Sequence, residues 1–196
     1  MKKLTAILLL VLLLTGCTKP AAKMTLQPAQ LTKDEAAIAK LLGSDYDQLL
    51  MDFKLDERVQ TVQISCYELK DGAWEHISGG GKQLMNEPEG RLALGFDIIP
   101  DGMRVAVQAG DISGSTSHVS AERLDTEDMG RSTSRMASVM NVEYEREIPV
   151  ACQIITAKPA IHSYDTDYFE DPSHIARQGY EHVYCVTVMF STQPLF

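Results

Sequence analysis

The chain is poor in the residue patterns from which metal, redox and nucleic-acid sites are built. Four cysteines occur in 196 residues and no two form a C-x-x-C pair, so a thiol-redox motif or a zinc knuckle is unsupported. Five histidines (His76, His118, His162, His174 and His182) are scattered with no H-E-x-x-H or other short ligand pair. Lys and Arg total 18 against 27 Asp and Glu. A net charge of −9 with no basic stripe makes nucleic acid a poor partner. Past Leu14 no run reaches the ~20 apolar residues that a transmembrane helix needs. There is no G-x-S-x-G elbow, no internal repeat and no low-complexity tract.

What is present begins at the N-terminus. Lys2 and Lys3 precede an apolar run from Leu4 to Leu14, and small residues follow. A cationic start, a short apolar run and small residues describe an export signal. The run Leu14-Thr15-Gly16-Cys17 resembles a bacterial lipoprotein lipobox. That resemblance implies cleavage before Cys17 and a diacylglycerol on its sulfur. A diacyl anchor holds better than a single chain because each buried methylene adds ~0.8 kcal/mol. The reading divides the chain into a signal peptide at 1–16, a lipidated cysteine and flexible tether at 17–31, and one folded domain at 32–196.

Within that domain Thr32 and Glu35 form a capping-box pattern, and Ile38, Leu41 and Leu42 make one apolar stripe before Gly43. A short helix is expected there, lying against something larger. The period then changes to two. Leu49, Met51, Phe53 and Leu55 alternate with polar or outward positions, as do Val62, Ile64 and Cys66. Leu92, Leu94, Phe96 and Ile98 form the cleanest strand. Lys70-Asp71-Gly72 and Pro100-Asp101-Gly102 are turns that make hairpins. Residues 110–117 read as a Ser/Gly loop with a strand from His118 to Leu124, and 125–136 as another loop. Strands are expected near 138–147 and 149–157, separated by Pro149. A final strand at about 181–190 is apolar on both faces and therefore central. Asp171-Pro172-Ser173 starts a short helix before it and Gly179 ends that helix. Roughly eight or nine strands at short spacing predict a mainly β chain, an antiparallel two-sheet β-sandwich with a short leading helix; a barrel is the alternative.

Candidate chemistry is sparse. Asp165, Asp167, Glu170 and Asp171 cluster as calcium ligands do, but without the EF-hand order. A solvated loop pinned to the core by Tyr164, Tyr168 and Phe169 accounts for them. Cys185 and Met189 share a strand face, yet no histidine lies between them as a copper site requires. Gly79-Gly80-Gly81 is followed by Lys82-Gln83 rather than a Lys-Ser/Thr pair, which favours a bulge over a phosphate loop. Trp74, the single tryptophan, fits a core position as well as a sugar platform. Cys66, Cys152 and Cys185 read as buried thiols, and their disulfide state stays open. No catalytic residue, cofactor or metal ligand is assigned.

Leu69-Lys70-Asp71-Gly72-Ala73-Trp74, Ser78-Gly79-Gly80-Gly81, Arg91-Leu92-Ala93-Leu94 and Tyr180-Glu181-His182-Val183-Tyr184 look similar to small uncharacterised lipoproteins of clostridial Gram-positive bacteria. The resemblance implies the extracytoplasmic face of a Gram-positive cell membrane and carries no activity to transfer. The expectation is a non-catalytic binding or interaction module of the cell envelope. Its partners would be the membrane, through diacylglycerol on Cys17, and an unknown protein or glycan. A carbohydrate- or calcium-binding accessory lipoprotein is the alternative.

Overall fold

A computed structural model describes residues 23–41, 48–162 and 164–195. Cys17, the signal segment, Leu42 and Gly43 lie outside the described residues. The chain is mainly β, with two antiparallel sheets that fit a sandwich. Among the described residues one sheet has six strands in the order β7-β6-β5-β2-β1-β9. These are β1 (Thr25–Pro28), β2 (Gln48–Lys54), β5 (Glu89–Gly95), β6 (Gly102–Ala109), β7 (Ile112–Val119) and β9 (Met140–Asn141). The other has five in the order β4-β3-β11-β10-β8: β3 (Thr61–Lys70), β4 (Ala73–Leu84), β8 (Gly130–Arg135), β10 (Glu147–Thr156) and β11 (His182–Ser191).

The two-residue period decides what lies between the sheets. Leu49, Met51 and Phe53 of β2, Leu92 and Leu94 of β5, and Met103, Val105 and Val107 of β6 face inward. Val62 and Ile64 of β3 and Val186, Val188 and Phe190 of β11 meet them. Phe53 and Phe190 touch across the core with ring centroids 6.0 Å apart. As its composition predicts, β11 is central and buried on both faces. Its second face, with that of β10, is covered by the connection between them. This connection contains a 3-10 turn at Thr166–Phe169 and the short helix α2 (Ser173–Ala176). Cys152, Ile154, Val183, Cys185, Tyr168 and Ile175 form a second, smaller core there.

Several expectations need correction. Thr25–Pro28, read as tether, is a strand paired with both β2 and β9, and Leu26 is fully buried. The segment read as a Ser/Gly loop is β7, and part of the loop expected at 125–136 is β8. Both are polar edge strands, in which no buried face imposes alternation. Of the region expected near 138–147, only Met140 and Asn141 of β9 and Glu147, the first residue of β10, are strand. Pro149 does not separate two strands but sits inside β10, where the register shifts between Pro149 and Ala151. The β8 ladder begins at Ala151, so the missing proline N–H costs no bond to that neighbour. Helix α1 (Lys33–Leu41) has the expected capping box, with the Thr32 N–H donating to Glu35 at 2.8 Å and the Glu35 N–H to Thr32 Oγ1 at 3.3 Å. Its stripe, however, faces solvent: Ile38 is 58% and Leu41 86% exposed. What holds the helix is polar, Glu35 pairing with Arg91 on the outer sheet face at 3.0 Å. The Thr32 backbone and hydroxyl donors, with Arg91, hold the Glu35 carboxyl down at about 2.

Candidate functional site

Each sandwich has four sheet edges, and an unprotected edge is a template for another chain. Three edges here carry protection. Strand β9 is two residues long, and β8 carries Arg131 and Arg135. Strand β4 is kinked twice, with register shifts between Ile64 and Ser65 and between Cys66 and Tyr67 of its neighbour. The first shift falls at Gly79-Gly80-Gly81, where the glycine run was expected to bulge; a Cβ on Gly79 would stand 2.7 Å from the Ile64 carbonyl oxygen.

Strand β7 has no such device. All eight of its residues, Ile-Ser-Gly-Ser-Thr-Ser-His-Val, are exposed, without a lysine, a proline or a register shift. Gly110-Asp111 joins it to β6, with Gly110 at φ +59 in the first turn position. That is the II′ arrangement, in which Ala109 and Ile112 close the hairpin. Alternation along the ladder then turns the backbone N–H and C=O of Ser113, Ser115 and Ser117 away from β6. At the far end Gly102 lets the strands close: a Cβ there would stand 2.5 Å from the His118 carbonyl oxygen.

Clefts of opposite chemistry flank this edge. Beside Val119 a cleft of about 390 Å³ is lined by Arg104, Ser117, His118 and Arg123, with Asp97 and Asp101 in its wall. The acids there are occupied, since Asp97 pairs with Arg131 and Asp101 accepts the Leu124 N–H at 2.7 Å. Among the described residues no hydrogen bond or ion pair engages the side chains of Arg104, His118 or Arg123. A cationic cleft thus stands out on an acidic chain. Beside Ile112, a slot of about 320 Å³ opens between the sheets, lined by Leu84, Val107, Ala109, Ile112 and Leu195. Leu84 is 56% and Ile112 55% exposed. Gln83 Nε2 donates to Thr116 Oγ1 across this slot at 3.2 Å.

The Asp97–Asp101 wall of the cationic cleft is held from the opposite sheet. Gln153 of β10 is fully buried; its Oε1 accepts the Ile99 N–H at 3.0 Å and its Nε2 donates to the Asp97 carbonyl at 2.8 Å and to Thr133 Oγ1 at 3.1 Å.

The residues weighed from sequence fall elsewhere. Asp165 accepts the Thr166 N–H and Asp171 the Ser173 N–H, so each caps a turn, while Glu170 pairs with Arg146 at 2.9 Å. Tyr168 and Phe169 pin that loop, stacking with Trp74, whose Nε1 donates to the Phe169 carbonyl at 2.9 Å. Trp74 is therefore a packing residue of the second core rather than a flat exposed platform. His76 lies edge-on to Tyr67, His162 donates its backbone N–H to Tyr180, His174 meets Arg177, and His182 lies 3.6 Å from Glu68. Among the described residues no three His, Cys, Asp or Glu converge on a common point. Sequence reasoning missed Arg104, Arg123 and the β7 edge; the Gly110-Asp111 pair after a clean strand was the signal that pointed to the hairpin. No helix of the described residues is long and apolar enough to cross a membrane. No protein-family model, curated protein or solved structure matches the chain.

Proposed function

We propose that this chain is a lipid-anchored, non-catalytic binding module of the cell envelope that holds an extended segment of another polypeptide along β7. The observation that carries this reading is the unprotected edge between a cationic cleft and an apolar slot. In strand addition the main-chain hydrogen bonds supply affinity, and pockets for side chains supply selectivity. The outward backbone groups of Ser113, Ser115 and Ser117 provide the first. Arg104, His118 and Arg123 select an acidic residue at one end, and Ile112, Leu84 and Leu195 an apolar one at the other. The lipobox at Cys17 supports placing this surface outside the membrane, and the segment before β1 supplies the tether.

Two octapeptide probes test it, each with two aspartates at one end and valines at the other, in opposite order. One order should bind, and Ser115→Pro should weaken it at least ~10-fold. That proline removes an outward N–H while leaving the β6 ladder its bonds. Binding should also fall with salt and with Arg104→Ala plus Arg123→Ala. Absence of binding at millimolar peptide, or binding indifferent to Ser115→Pro, refutes strand addition. Saturable binding of an oligosaccharide or calcium instead would favour the accessory-lipoprotein reading.

The anchor is tested separately. Cys17→Ser offers no thiol for diacylglycerol transfer, so a fatty-acid probe should label the wild type and not the variant. Equal labelling overturns the anchor.

A further inference from the structure

We propose that Cys152 and Cys185 form a disulfide when the chain folds in an oxidising compartment, with Cys66 left as a thiol. The two residues are direct partners across β10 and β11. Opposed Cα atoms in an antiparallel pair lie ~4.5 or ~5.5 Å apart, and both values fall within the range a disulfide spans. Their sulfurs stand 2.8 Å apart, closer than the ~3.5–4 Å of ordinary non-bonded contact. Register leaves Cys66 without a partner. It is opposite Val186, and its side chain enters the main core, whereas Cys185 is opposite Tyr67 and enters the second core. An odd thiol count is thus resolved into one pair and one singleton.

The surroundings say when the bond forms. Cys152 and Cys185 are buried beneath Tyr168 and Ile175. The Tyr168 hydroxyl is buried among them beside Cys152. Burial pushes the Cys185 thiol well above its ordinary value and that of Cys66 up to about 11. Both sulfurs of the pair are buried out of reach of an oxidant, so the folded reduced pair is close to inert. Oxidation therefore precedes docking of the segment between β10 and β11. One thiolate attacks a disulfide donor, a small-molecule or protein disulfide, and displaces a thiolate to give a mixed disulfide. The second thiolate attacks that bond and displaces the donor's other sulfur. The two cysteines lose two protons and two electrons, and the donor becomes two thiols. The product closes a loop between positions 33 residues apart and staples the second core to both strands.

Refolding the full-length Cys17→Ser chain from denaturant in reduced and oxidised glutathione tests this, with N-ethylmaleimide added under denaturing conditions and peptides mapped by mass. One linked peptide pair containing Cys152 and Cys185 is expected, with maleimide on Cys66. The linked form should melt higher than the reduced form by roughly 5–15 °C. The folded reduced protein, given the same oxidant, should oxidise at least ~10-fold more slowly than the refolding chain. Maleimide on both Cys152 and Cys185 after refolding, or a link through Cys66, overturns the proposal. Because mapping uses the wild-type pair, no variant of either residue has to fold.

Discussion

Leu94→Asp should unfold the protein, while Ala93→Asp should leave it folded. Leu94 is fully buried in the main core, between Leu49 of β2 and Val105 of β6 in the ladder. Aspartate there loses a packed side chain and buries an unpaired carboxylate. Each is a recognised route to severe loss, and together they should cost at least ~4 kcal/mol. Ala93 points the other way. It lines a cavity on the outer sheet face with Arg91 and Arg104, so a carboxylate there meets water and cations. Its cost should stay near ~1 kcal/mol or below. Denaturant titration of both variants reads the difference directly. Equal losses would mean that the outer face is as dry as the inner one, and the two-sheet arrangement would have to be redrawn.

Gln153→Leu should be the most damaging volume-conserving change. It keeps the bulk but removes the acceptor for the Ile99 N–H and the donor to the Asp97 carbonyl. Leaving buried backbone groups unsatisfied costs ~1–3 kcal/mol each, so a loss of roughly 2–4 kcal/mol is expected. Thr133→Val removes one accepting hydroxyl of the same cluster and should cost only ~1 kcal/mol. The two variants also separate stability from binding. Gln153→Leu frees the wall of the cationic cleft, so the aspartate-bearing probe should bind it less well even where the protein remains folded. If Gln153→Leu costs no more than Thr133→Val, the bonds between the sheets contribute nothing.

Much of the fold was legible because burial on one face leaves a period of two in the sequence. Leu92, Leu94, Val105 and Val107 announce which side is wet. Asp71 and Gly72, both at positive φ, announce a hairpin. Thr32 and Glu35 announce a helix start. Strands β7 and β8 were illegible for the same reason. Neither has a buried face to write a pattern, and serine, glycine and threonine resemble loop composition. Strand β1 was missed because only Leu26 of its four residues is buried, too short a run to carry a period. The candidate site rests on the least legible of these elements.

By itself the sequence determined the alternating strands, their turns and the capping box. Each is a local property, set by neighbours within a few residues. Only the tertiary structure decided which strands are edges, that Cys152 meets Cys185 and not Cys66, and that Gln153 reaches across 54 positions to Ile99. Those outcomes depend on strand order and register, which arise when distant segments pair. A one-residue slip sends every side chain of a strand to the other face, so no local pattern records them.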